Sequence, residues 1–164
     1  MGVTLLVVLV SASIPAAEPT SEQVKAELKK LEGQWLVVLS QHNDKKYHTG
    51  NEHWVIVGDL AKVHLRPGNA LDKTAPFVPD QGNLLLTYHL KLDPSKSPKT
   101  MDQRTEYKMD KNISTKPRIA IYKLEGDSLT ICYAGYYDKG KYPGEFSSEK
   151  DSDRSLIVLK REKK

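Results

Sequence analysis

Leu31 to Gln41 reads LEGQWLVVLSQ, and the period of the chain changes inside it. Before Gly33, the stretch PTSEQVKAELKKLEG has Val24, Leu28 and Leu31 at i, i+4 and i+7. That spacing lines one face of a short helix. Thr20 and Gln23 have capping-box spacing at its start, and Gly33 suits its C-terminal end. After Gly33 the apolar residues recur at every second position, as in a strand. Trp35, Val37 and Leu39 fall on one side, Leu36 and Val38 on the other. An open sheet with one wet face would alternate more cleanly. A strand apolar on both faces, preceded by a half-apolar helix that needs something to cover, fits a barrel with the helix packed on its outside or end.

The rest of the chain continues the strand pattern. EHWVIVGDLAKVHLR reads as two strands turning at Gly58–Asp59, and PRIAIYKLEGDSLTICYA as two more turning at Gly126–Asp127. NLLLTYHLKL, the more polar QRTEYKM and SLIVLKRE supply three further strands. About eight strands at this spacing indicate a sandwich or barrel, and no βαβ alternation argues for a parallel sheet. The expected fold is all-β: an antiparallel up-and-down barrel of about eight strands with a short N-terminal α-helix. The long Pro67–Asn83 segment, with Pro67, Pro76 and Pro79, reads as a loop.

At 164 residues the chain is long enough for one domain with a real core. With 28% charged and 38% hydrophobic residues it is neither disordered nor membrane-embedded. The net charge of +4 is spread along the chain, with no basic stripe interleaved with aromatics, so no nucleic-acid partner is expected. Val3–Val10 is an apolar run too short to span a bilayer, followed by small residues up to Ala16 and Ala17. This reads as a signal peptide over residues 1–17, although its first residues carry no Lys or Arg. A buried N-terminal strand is the alternative. The mature domain is then 18–164, exported to the periplasm or beyond, with no membrane span and expected as a monomer. The single Cys132 forms no internal disulfide and reads as a packed thiol.

Two elements carry a resemblance. Gly33-x-Trp35 after a short helix, with Arg161 on the last strand, is similar to the lipocalin signature. That likeness implies that the Trp packs against the Arg at the closed end of a barrel. The ordered pieces LEGQW, LKLDPSKSPKTMD, IYKLEGDSLTICYA, YPGEF and LIVLKRE resemble a family of secreted lipocalin-like domains abundant in planctomycete bacteria. The resemblance covers nearly the whole chain after residue 17. It implies the barrel and export, and assigns no activity. One departure is Tyr142, where the family tends to place Arg before the Pro.

Within LKLDPSKSPKTMD, Asp93, Pro94, Pro98 and Asp102 have a structural reading as an elaborate turn. An Asp bonds nearby amides, Pro94 presets φ, Pro98 stops the first strand and Asp102 starts the next. The functional reading is a charged rim or a partner-binding tip. The five histidines, His42, His48, His53, His64 and His89, match no zinc spacing, so no metal or other cofactor is expected. Strand parity could bring His64 and His89 onto one face. Phosphate-loop, dinucleotide and nucleophile-elbow motifs are absent, and no enzyme is expected. YAGYYDKGKYPGEF gathers Tyr133, Tyr136, Tyr137, Tyr142 and Phe146 as the candidate recognition residues, since tyrosine offers an apolar face and a polar tip. Their alternative role is to cap the core. The expected function is non-catalytic binding of a small apolar ligand in the barrel. The alternative is binding an envelope protein or polysaccharide through the tyrosine-rich loop.

Overall fold

A computed structural model describes residues 18–47, 50–65, 83–107 and 112–163. The signal-peptide segment, His48 and the proline-containing 67–82 loop lie outside the described residues. Helix α1 spans Ser21–Leu31, with the expected capping box: the Gln23 amide donates to Thr20 Oγ1 and the Thr20 amide to Gln23 Oε1. Among the described residues nine strands follow: β1 Gly33–His42, β2 Lys45–Tyr47, β3 Glu52–Val57, β4 Leu60–Leu65, β5 Asn83–Asp93, β6 Lys99–Tyr107, β7 Arg118–Glu125, β8 Ser128–Tyr133 and β9 Ser155–Arg161.

Strands β3 to β9 pair antiparallel in chain order, β1 pairs with β3, and β1 also pairs with β9. Eight strands therefore close an up-and-down barrel, the lipocalin-like arrangement expected from the sequence. The three-residue β2 is an addition to it, hairpinned onto the end of β1 through Asn43 and Asp44, both at positive φ. Among the described residues no helix is long and apolar enough to cross a membrane.

Gly33 stands directly after the helix cap Glu32, as expected, and also opens β1 at φ +132°, where a side chain would meet the Arg161 guanidinium. Register corrects two local expectations. Strand β6 begins at Lys99, so Asp102 lies inside it opposite Lys91 rather than at its start. A bulge between Val37 and Leu39 pairs Leu39 with Val158, which turns Leu39 to the outer face, away from Trp35 and Val37. One inserted residue reverses strand parity beyond it.

The inward positions fill the barrel. Trp35, Trp54, Ala61, Met101, Gln103, Ala120, Tyr122, Leu129, Ile131, Tyr133 and Leu159 are each at most 2% exposed. Leu31 of α1 joins this core, with Val24 and Leu28 packed against it. Burying a side chain such as Leu31 contributes about 1.5–3 kcal/mol. Ile121 and Cys132 face outward yet are also fully buried, because the segment between β8 and β9 folds back over them.

Candidate functional site

The five aromatic residues gathered from the tyrosine-rich stretch separate once folded. Tyr133 is the last residue of β8 and belongs to the core, not to a loop. Its hydroxyl donates to Gln103 Oε1 at 2.9 Å, and the Arg118 guanidinium lies 4.0 Å from its ring centre. Burial pushes its phenol pKa upward. Phe146 is half-buried on the outer wall, with the Lys123 ammonium 5.4 Å from its ring centre. Tyr142 is anchored through its hydroxyl, which donates to Asp102 Oδ1 at 2.6 Å. Tyr136 and Tyr137 are the most exposed of the five, at 82% and 67%.

Those two rings stand on a 3-10 turn, Tyr136–Asp138, that is fixed from below. Asp138 accepts from Arg154 Nε, shared between its two oxygens at 3.0 and 3.2 Å, from Arg154 Nη2 at 2.7 Å, and from the Gly135 amide at 2.8 Å. The Arg154 bonds hold its carboxyl below the usual range, against a smaller upward pull from burial. The Tyr136 amide donates to Asp153 Oδ2 at 3.0 Å, and the Asp153 amide to Asn43 Oδ1. Gly135 has no space for a side chain, since a Cβ there would lie 2.4 Å from the Ser152 carbonyl oxygen. Planar fork-to-fork pairing of this kind fixes orientation as well as adding energy. Tyr136 and Tyr137 meet edge to face, with ring centres 5.6 Å apart.

From this turn the segment runs over the outer wall. Pro143 is buried, the Ser147 carbonyl accepts from Cys132 Sγ at 3.3 Å, and the Ser148 carbonyl accepts from the Asp44 amide at 2.6 Å. Burial raises the Cys132 thiol pKa, which keeps it protonated and unreactive.

The turn after β5 has the local bonding expected of Asp93, but β5 already ends at Asp93, so Pro98, directly before β6, is not what stops it. Asp93 Oδ1 accepts from the Ser95 amide at 3.0 Å and from the Ser95 hydroxyl at 2.6 Å, closing an Asx turn around Pro94. Gly126 takes φ +57° in the β7–β8 hairpin, and Asp127 beside it forms an ion pair with Arg161, Oδ1 3.5 Å from Nε.

Among the described residues the histidines do not gather at one site, although two of them are cross-strand neighbours. His53 is paired across the sheet with His64, and its Nδ1 lies 3.0 Å from Glu162 Oε2. His89 contacts Glu106, with Nε2 2.9 Å from Oε2. His64 and His89 both face outward but at different levels, opposite Leu84 and Leu60. Among the described residues no group of three or more His, Cys, Asp or Glu could hold a metal ion.

Two features escaped sequence reasoning. Glu27, at the i+3 position of the Val24–Leu28–Leu31 stripe but charged, is 3% exposed, with Lys30 Nζ at 2.9 Å, Lys99 Nζ on its other oxygen and the Tyr122 hydroxyl at 3.4 Å. At the end of the barrel away from α1, Arg118 also donates to the Tyr88 hydroxyl at 3.3 Å, and Trp54 Nε1 to Glu52 Oε1 at 2.7 Å. The polar residues of β6 and β7 hinted at such a layer, but not at which of them point inward. No family model, no curated protein and no solved structure matches the chain.

Proposed function

We propose that this chain is an exported, non-catalytic recognition domain on a lipocalin-like barrel, which binds a polysaccharide or protein of the cell envelope through Tyr136 and Tyr137. The observation that carries this reading is the pairing of two strongly exposed aromatic rings with a turn held by a bidentate Arg154–Asp138 bridge. Rigid aromatic residues supply contact area at low entropic cost. Export rests on the Val3–Val10 apolar run and places the mature start near Glu18, which the mass of the exported chain measures. The decisive test is co-sedimentation with purified envelope polysaccharide and with envelope protein. Wild type should pellet with one of them and Tyr136→Ala with Tyr137→Ala should not; equal pelleting removes the turn from the function.

A second reading keeps the small apolar ligand. The core is filled with side chains up to the level of Trp54, Tyr88 and Tyr133, but Leu65 and Leu86 above them stay partly exposed. A ligand would sit at that mouth rather than deep in the barrel. Native mass spectrometry of the exported protein, showing an extra mass lost on unfolding, would support it.

A further inference from the structure

The turn that reads as structural in sequence also forms one wall of a cleft. Strand register places Lys91 opposite Asp102, Asp93 opposite Thr100, and Thr100 opposite Ile121, all on the outer face of β5, β6 and β7. Lys96, Ser97 and Pro98 rise on one side of this floor, and Tyr142 and Pro143 on the other. Together they enclose about 360 Å³, at the small end of the range for small-molecule sites. Tyr142 is locked in place by Asp102 and still presents its ring, being 41% exposed.

The lining is amphipathic and balanced. Pro98 and the Tyr142 ring give an apolar surface, with Ile121 and Pro143 buried beneath it. Lys91 and Lys96 offer donors, while Asp93 and Asp102 offer acceptors. Two lysines against two aspartates leave no net charge, so neither an anion nor a cation is drawn in by the field of the site. Affinity must come from apolar contact together with hydrogen bonds of both senses. A pyranose ring has that composition: a face of C–H groups bordered by hydroxyls that both donate and accept.

We infer that the cleft between the β5–β6 turn and Tyr142–Pro143 binds one neutral sugar unit of a polysaccharide. The inference rests on the proposed recognition role and adds to it a ligand class and a second site. Burial and the Asp102 carboxylate push the Tyr142 phenol pKa up to about 12, so it remains a donor to Asp102 at any ordinary pH. That bond engages Asp102 Oδ1 and leaves Oδ2 as the acceptor offered to a sugar hydroxyl.

The test is amide NMR titration of the exported protein with the methyl glycosides of common neutral hexoses and N-acetylhexosamines, and with cellobiose, chitobiose and maltose. Inorganic phosphate and spermidine serve as charged probes. A neutral sugar should give saturable shifts in Lys91–Asp102 and at Tyr142. Asp102→Asn and Lys96→Ala should each weaken it, Asp102→Asn by about tenfold or more, since a hydrogen bond to a charged group contributes roughly 1.5–3 kcal/mol. Lys96 is exposed and on the turn, so its loss leaves the core intact. Tyr136→Ala with Tyr137→Ala should leave these shifts unchanged even where it abolishes co-sedimentation, which separates this site from the tyrosine turn. Absence of saturable shifts with every neutral sugar, preferential saturation by phosphate or spermidine, or equal affinity in the Asp102 and Lys96 variants overturns the inference.

Discussion

The guanidinium of Arg161 lies 4.1 Å from the centre of the Trp35 ring, and the two side chains finish the helix that precedes them. Trp35 Nε1 donates to the Leu31 carbonyl at 2.8 Å. Arg161 donates to the Lys30 carbonyl at 2.7 Å and to that of Glu32. Carbonyls at a helix end have no partner within the helix. Here the first and last strands of the barrel supply them, so barrel closure and helix docking are one event.

Arg161→Ala should therefore destabilise the whole domain. Cation–π contact contributes about 0.5–2 kcal/mol and each charge-assisted hydrogen bond adds to it. A net loss of about 2–3 kcal/mol lowers Tm by roughly 4–12 °C in a domain of this size. Circular dichroism melts measure it, and sugar or envelope binding below the new Tm should be unaltered. A Tm within 1–2 °C of wild type, roughly what half a kcal/mol gives, would show the stack to be incidental.

Glu27 gives the fold an acid limit. Burial raises its carboxyl pKa, but Lys99 and Lys30 together outweigh burial and hold it below the usual carboxylate range. A folded-state pKa below the unfolded one means stabilisation that is complete above the unfolded value, about 4.3, and lost as pH falls through the folded value. Glu27→Gln should cost about 1–3 kcal/mol near neutral pH, less than the roughly 3–5 kcal/mol for breaking a fully buried pair because both lysines are partly exposed. The gap in Tm between wild type and Glu27→Gln should shrink as pH drops from 5 towards 2, the window that the depressed pKa sets. A gap constant across that range would show that the carboxylate charge is not what stabilises the helix.

The barrel was legible because its signals are local and repeated. Alternation from Trp35 onward, the Gly58–Asp59 and Gly126–Asp127 turns and the final Arg161 name strands and their order without reference to distant residues. What stayed hidden depends on register. The bulge at Val38 turns Leu39 outward, and only strand pairing reveals it. Glu27 is buried because Lys99, 72 positions later, reaches it across the end of the barrel. Tyr133 looked like a neighbour of Tyr136 in sequence, yet pairing with Ala120 puts it inside. The cleft joins Asp102 to Tyr142, 40 positions apart, and no periodicity links them.

Arg154 tests whether the tyrosine turn works because it is rigid. Arg154→Ala leaves Asp138, whose side chain is 12% exposed, without its cation. Leaving a partly buried charge unpaired costs about 1–3 kcal/mol. Hydrogen exchange at the Asp138 and Lys139 amides, which donate to the Gly135 and Tyr136 carbonyls, should speed up. Binding should weaken although Tyr136 and Tyr137 are unchanged in sequence. Unaltered exchange with weakened binding would instead place Arg154 itself against the partner.

Gln103 and Tyr133 form a polar pair inside an apolar barrel. Gln103 is fully buried; its Oε1 accepts from the Tyr133 hydroxyl, and its Nε2 lies 3.2 Å from Met101 Sδ. Tyr133→Phe removes the donor and leaves a buried amide oxygen unsatisfied, at a cost of about 1–3 kcal/mol. Gln103→Leu alone strands the phenol in the same way. The double variant removes both polar groups, so it should recover much of the loss, and a double-mutant cycle in denaturant should show coupling above about 0.5 kcal/mol. Additive losses would mean that each group finds another partner once the other is gone. Coupling as large as predicted would mean that this single hydrogen bond fixes how β6 and β8 face each other across the core, beneath the Arg118 guanidinium at the barrel mouth.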